Sequence, residues 1–271
     1  MLKARFLTAI VLAPLALAVL FLFPKNLFLL VIDAVLLIGA WEWSRLSGLK
    51  SRKDQIFFVG TVAAALALLH SFEAVLPTLL LLMLSMLFWA LALVCVVLYP
   101  RASSWSPVMV RVLMGYAVLL PVWISLGALK GSPMSDQLIL FLLLIVWAAD
   151  SGAYFAGKTF GKSKLAPAVS PGKTREGLYG GLASCLCVGF GFALWFELEG
   201  GQLVYLMLLS VLTGMISVLG DLFESMLKRH QGIKDSSQLL PGHGGILDRL
   251  DSLTAAAPLF VLGVLLSSSL A

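Results

Sequence analysis

Between Ser225 and Asp251 the chain reads SMLKRHQGIKDSSQLLPGHGGILDRLD, a stretch that carries Lys228, Arg229, His230, Lys234, Asp235, His243, Asp248, Arg249 and Asp251. Acids and bases at this density suit a phosphate-rich reactant, because fixed cations and a carboxylate-held metal ion can share its charge. Gly244 and Gly245 follow His243 and permit close backbone approach, while Asp248 and Asp251 stand three residues apart on one helical face. Pro241 and Gly242 break the chain just before them, and a helix is expected to begin at ILDRLDS. Exposed N–H groups at such a start favour anions, and the two aspartates could hold the neutralising cation. Arg249 projects to another side and could fork onto a phosphate. His243 could serve as a donor or base, or simply as a hydrogen-bonding side chain.

Upstream, GDLFESMLKRH places Asp221, Ser225 and Lys228 on one helical stripe, with Glu224 adjacent. Magnesium takes one or two carboxylates plus substrate phosphates, so Asp221 with Asp248 or Asp251 makes a divided site of the right chemistry. The alternative is an ion pair between Asp221 and Lys228. Further upstream, from Trp147 to Gly181, Asp150 and Tyr154 lie one turn apart, and the following loop alternates glycine with Lys158, Lys162, Lys164, Lys173 and Arg175. Backbone and cationic donors in that loop could cradle phosphates. GKS at 161–163 and GKT at 172–174 are not Walker loops, for no glycine stands at the required earlier offset and no strand is expected before either. A loop that merely fixes topology would explain the lysines, but not Asp150, Ser170, Pro171 and Glu176 beside them.

These residues must be positioned by a chain that otherwise avoids charge. Of 271 residues, 60% are apolar and only 12% are charged, and the mean hydropathy is +1.01. Soluble domains carry about a quarter charged residues, so the composition predicts an all-α, polytopic integral membrane protein. Apolar runs of spanning length lie near 5–23, 27–44, 56–71, 76–99, 108–129, 137–157, 177–196, 202–223 and 252–270, about nine transmembrane helices. With the N-terminus in the cytoplasm, 17 of the 19 Lys and Arg residues fall inside and only Lys25 and Lys130 fall outside. The first run has the charged start of a signal peptide, but its Ala16, Leu17, Ala18 site lies within unbroken apolar sequence and reads as a retained helix. Cys95, Cys185 and Cys187 fall in spans and read as packing residues rather than disulfide or zinc ligands. The net charge of +5 suits anionic headgroups or nucleotide phosphates. Nucleic acid is disfavoured as a partner, since no soluble basic domain exists to dock it.

The chain divides into a helical scaffold over 1–135, with Pro14, Pro77 and Pro121 tolerated in spans, and a catalytic half over 136–271. Two acids interrupt the scaffold. Glu42 is expected to pair with Arg45 at i,i+3, and Asp33 to be tied toward the Lys25 end, with its role open.

Ser225, Leu227, Lys228 and Arg229, then Lys234 and Asp235, then Leu240, Pro241, His243, Gly244, Gly245, Ile246, Asp248, Arg249, Leu250 and Asp251 together resemble the signature of the phosphatidate cytidylyltransferases, also called CDP-diacylglycerol synthases. AYFAGKTFGKSKLAPAVSPGKTREG is similar to a second region of that family. The resemblance implies transfer of a cytidylyl group from CTP to phosphatidate, magnesium as cofactor, a homodimer, a bacterial-type inner membrane and a polar cavity open to the cytoplasm. It implies metal binding by Asp221, Asp248 and Asp251, and catalytic roles for Asp221, Lys228, Arg229, Asp248 and Arg249. Substrate contacts are implied for Ser170, Lys173, Arg175, Ser225, Lys234, Asp235, His243, Gly244 and Gly245. A CTP-dependent lipid kinase would use similar contacts, and an ion-coupled transporter would account for Asp33 and Asp150. Transport, however, needs access from both faces, whereas these charges cluster on one. The alcohol phosphotransferases are disfavoured, because their DG followed by AR is missing.

Overall fold

The computed structural model describes residues 14–75, 77–101, 104–240, 242 and 244–267. Its helices are α1 (Lys25–Leu46), α2 (Arg52–Phe72), α3 (Thr78–Leu98), α4 (Val108–Lys130), α5 (Ser135–Phe160), α6 (Arg175–Trp195), α7 (Gly200–His230) and α8 (Leu247–Leu266). All eight are long and apolar enough to cross a membrane. Residues 14–22 are helical too, and the earlier part of the first expected span lies outside the described residues. Local sequence explains the ends. Ser51 caps α2 by accepting from the Lys53 N–H at 3.2 Å, and Thr174 caps α6 by accepting from the Gly177 N–H at 3.1 Å. Pro77 is the N-cap of α3 rather than an interior residue, whereas Pro121 lies inside α4 as expected.

One departure from an all-helical chain matters for the site. Pro167, Pro171 and Gly172 cannot continue α5, and the chain folds instead into an antiparallel hairpin of β1 (Lys164–Ala166) and β2 (Ser170–Thr174). The hairpin is anchored by Glu176, whose carboxylate accepts from the Lys162 and Ser163 backbone N–H groups at 3.1 Å.

Charges segregate to the two ends of the helices. At one end Lys25 pairs with Glu73 at 2.5 Å and Lys130 with Asp136 at 3.0 Å. At the other, Arg111 Nη1 donates to the Leu46 carbonyl at 3.2 Å and the Trp105 ring lies 4.9 Å from that of His230. Asp33 is held inside the bundle by His70, Oδ2 to Nε2 at 2.7 Å, and the histidine ring meets Trp123 edge-on.

Glycine sets the closest helix contacts, as expected where packing rather than hydrophobic exclusion holds helices together. A Cβ on Gly177 would lie 2.8 Å from the Ala153 carbonyl oxygen, and one on Gly181 2.6 Å from that of Ala149, so α5 and α6 touch backbone to backbone. Gly220 does the same for α7 and α8: any side chain there would collide with the Asp251 carbonyl. α7 has 31 residues, about 46 Å at 1.5 Å per residue. It is therefore longer than the hydrocarbon core, about 30 Å thick.

Gly220→Ala is expected to wedge α7 from α8 and destabilise the protein by about 1–3 kcal/mol, as overpacking does. Gly191→Ala, at a position with open space around it, should leave stability within experimental error. Thermal unfolding of the two variants in one detergent checks the pair.

Candidate active site

The site grows from the contact of α7 with α8. Because Gly220 admits the Asp251 backbone, the carboxylates of Asp221 and Asp251 lie within electrostatic reach of each other and of Lys173. Asp221 Oδ2 pairs with Lys173 Nζ at 2.7 Å, and its Oδ1 accepts from the Ser225 hydroxyl at 3.1 Å. This is the expected stripe on α7, except that Asp221 takes the hairpin lysine as partner rather than Lys228. Lys228 instead lies buried, 6% exposed, between Glu224 Oε1 at 3.2 Å and Asp248 Oδ1 at 2.7 Å. It joins α7 to the start of α8.

Asp248 is bonded on both oxygens. Its Oδ2 accepts from the Ser236 N–H at 2.9 Å, the Ser236 hydroxyl at 3.0 Å and the Gly245 N–H at 2.7 Å. Gly244 adopts φ +85°, a left-handed conformation that glycine supplies without strain, and so turns the Gly245 N–H onto Asp248. Asp251 Oδ1 accepts from the Ser252 N–H at 2.7 Å. Asp150 completes the group, within electrostatic range of Lys173, Asp221 and Arg249.

A cavity of about 400 Å³ opens onto this cluster, lined by Asp150, Tyr154, Lys158, Lys173, Thr174 and Asp221 among others. Lys158 lies over the Tyr154 ring at 5.7 Å. That volume falls within the usual range for small-ligand pockets, about 300–1,000 Å³. Its wall includes the pair that Asp221 makes with the lysine of the hairpin.

Several expected site residues are brought together: Lys173, Asp221, Ser225, Lys228, Asp248, Arg249 and Asp251. Others sit at the margin. Arg175 is exposed, and its backbone N–H donates to the Ser163 carbonyl. Lys234 and Asp235 are exposed on the loop after α7, and Ser170 is half-buried at the start of β2. Arg229 braces that loop and the hairpin, donating to the Val169 carbonyl at 3.2 Å and the Ile233 carbonyl at 3.4 Å. His243 lies outside the described residues.

Three expectations are corrected. Glu42 does not pair with Arg45, which is exposed; it is buried, 1% exposed, and accepts from the Ile246 N–H at 3.0 Å and the Leu247 N–H at 2.7 Å. The anion at the N-terminus of the last helix is therefore Glu42 itself, so those two N–H groups are occupied and not offered to a substrate. Likewise the Lys162 and Ser163 N–H groups are taken by Glu176, which leaves the lysine ammonium groups rather than that stretch of backbone to meet phosphate. Ser236 and Ser237, not singled out from sequence, belong to the Glu42 contact. The only sequence signal for it was a glutamate inside an apolar run.

The arrangement suits a divalent cation by its charge. Five carboxylates, Asp150, Asp221, Glu224, Asp248 and Asp251, interact with three cations, Lys173, Lys228 and Arg249. The acids outnumber the bases by two, so a cation would offset the repulsion among them. Among the described residues no three acid, histidine or cysteine side chains close into a cage. Asp221 and Asp251 can nevertheless share an ion whose remaining ligands come from substrate or water, the habit of magnesium.

Comparison with known proteins identifies the family. The sequence profile of the Cytidylyltransferase family matches residues 3–267. The chain belongs to that family. A phosphatidate cytidylyltransferase of Pseudomonas aeruginosa is 47% identical over 261 residues, covering 96% of each chain. One of Haemophilus influenzae is 43% identical, with 96% of this chain and 97% of the relative covered. A Bacillus subtilis phosphatidate cytidylyltransferase is 47% identical over 120 residues, 44% of each chain. Family membership therefore takes in the N-terminal helices, including the one that carries Glu42.

Removing Lys228 should be costly because it leaves Glu224 and Asp248 buried without their shared cation. Lys228→Met is expected to destabilise the protein by about 3–5 kcal/mol, and Lys173→Met, at a half-exposed pair, by far less. Denaturant-induced loss of tryptophan fluorescence for both variants checks the difference.

Proposed function

We infer that the chain transfers a cytidylyl group from CTP to phosphatidate, forming CDP-diacylglycerol and pyrophosphate. The observation that carries this reading is the folding of the Ser225–Asp251 signature around an acid and lysine cluster that opens on a nucleotide-sized cavity. Relatives named for that activity match nearly the whole chain.

The phosphate of phosphatidate is already anionic, so the reaction needs no protein base. One of its oxygens attacks the α-phosphorus of CTP in line; the new P–O bond forms as the bond to the bridging oxygen breaks, and pyrophosphate leaves with that electron pair. The work of the protein is to hold two highly charged anions together and to stabilise charge where it develops. Lys158 and Lys173, on the cavity wall, meet phosphate oxygens, and Arg249 adds charge beside Asp150. Lys228 contributes from behind Asp248, keeping that carboxylate oriented. Asp221, Asp248 and Asp251 would hold Mg2+, whose chemistry is to neutralise and orient the phosphate oxygens. Ser225 fixes Asp221, and Tyr154 offers a face and a hydroxyl to the nucleotide.

The protein works as a homodimer in a bacterial-type inner membrane, with its N-terminus and its site facing the cytoplasm. The gathering of Lys and Arg at the site's end of the helices supports the orientation, and the family resemblance supports the dimer.

Incubation with phosphatidate and CTP labelled in the cytidine ring tests the reaction. Label is expected in the lipid, whereas release of labelled CDP without it would make the protein a lipid kinase. Asp248→Asn should abolish transfer while the protein still inserts in the membrane; near-normal magnesium-dependent turnover would remove Asp248 from the metal's ligands. Lys53→Ala, at the start of α2 away from the cluster, should retain activity.

A further inference from the structure

Glu42 comes from the first described membrane-crossing helix, yet each of its carboxylate oxygens takes one serine hydroxyl and one N–H at the start of α8. Oε1 accepts from Ser237 Oγ at 2.5 Å and the Ile246 N–H at 3.0 Å; Oε2 accepts from Ser236 Oγ at 3.0 Å and the Leu247 N–H at 2.7 Å. Ser236 then reaches the other way. Its hydroxyl is 3.0 Å from Asp248 Oδ2, and its N–H donates to the same oxygen at 2.9 Å.

A serine hydroxyl has one proton, so Ser236 donates to Glu42 and Asp248 in turn or through a three-centre bond. In either case the two carboxylates compete for one donor, and a shift of one changes what the other is offered. The space is closed as well: a Cβ on Gly245 would collide with Ser236 Oγ and approach both Glu42 oxygens to about 2.6 Å. Glu42 is 1% exposed, and among the described residues no ion pair reaches it. Its charge is held by four donors, all belonging to the segment that delivers Asp248.

We propose that Glu42 is a positioning residue for Asp248, acting through Ser236 and the first turn of α8. A cap alone would need only the two helix N–H groups. The shared serine adds a direct line to the carboxylate that faces Lys228 and the acid cluster. The inference rests on the metal-assisted reading given above.

The test uses the full chain in detergent or nanodiscs, with Glu42→Gln and Ser236→Ala made singly and together. In Glu42→Gln one oxygen becomes an amide nitrogen, which cannot accept from Ile246 or Leu247. Mn2+ binding, read from the electron paramagnetic resonance of the free ion without nucleotide, is expected to weaken about 10–100-fold, the usual loss when a ligand's support is removed. The Mg2+ concentration for half-maximal turnover should rise in parallel, while the KM for CTP moves less than about threefold. Ser236→Ala should shift Mn2+ binding in the same direction, and the double variant should be no worse than Glu42→Gln alone, because the two side chains act in one line.

A lower unfolding temperature with parental Mn2+ affinity in the folded variants would reduce Glu42 to a helix cap and overturn the proposal. So would simple additivity of the two substitutions. Where Glu42→Gln fails to fold, Ser237→Ala decides, because Ser237 donates to Glu42 and not to Asp248: unchanged Mn2+ affinity overturns the inference, and weakened affinity supports it. A parental protein that neither binds Mn2+ nor labels lipid from CTP would bring down the metal-assisted reading, and this inference with it. A parental protein that does both, beside variants that match it, would sink this inference alone.

Discussion

The Lys228 ammonium, shared between Glu224 one turn back on its own helix and Asp248 at the head of the next, is the interaction on which the site depends. In this buried environment neither carboxylate is tolerable without that cation, and the cation is not tolerable without them. The pair need contribute little net stability to be decisive, since it excludes every arrangement in which α7 and α8 slide by a residue. Register between these helices places Asp251 within electrostatic reach of Asp221, which lines the cavity, so the ion pair that fixes the register also brings those two acids together.

A membrane makes such an arrangement possible and also demanding. Helices in lipid gain no hydrophobic advantage from touching one another, so close approach depends on small residues. Gly220 and the Gly177 and Gly181 positions let backbones meet where the chemistry requires it. Lys228 and Asp248 lie within a turn of a helix end, whereas Asp150 and Asp221 sit farther inside α5 and α7, on the wall of the cavity. The hairpin after α5 supplies the cationic partner of Asp221, Lys173.

The two halves of the chain are less separate than their composition suggests. Glu42 lies in the apolar first half, yet its four bonds all go to the segment from Ser236 to Leu247. A buried anion at a helix N-terminus is favoured by the dipole and by the unpaired N–H groups there. That contact also accounts for α8 beginning at Leu247, earlier than its apolar run. The sequence matches to relatives extend over the first half too, in keeping with a scaffold that takes part in shaping the site.

The amino-acid order alone determined that the chain crosses a membrane many times, where most of its helices run, and which stretch carries the reacting charges. Each of these is local: apolar runs of spanning length, prolines and glycines that end them, and signature residues at fixed spacing. The stripe of Asp221, Ser225 and Lys228 was legible because a helix has a fixed period. Partner choice was not. Lys228 had Asp221 and Glu224 within one or two turns, and only the approach of α8 gave it Asp248 and freed Asp221 for Lys173. Glu42 had Arg45 three residues away, but its partners lie some two hundred residues on. Period and spacing are properties of one segment, whereas a buried carboxylate takes whichever donors the packing of distant helices brings to it, and only the tertiary structure decides that.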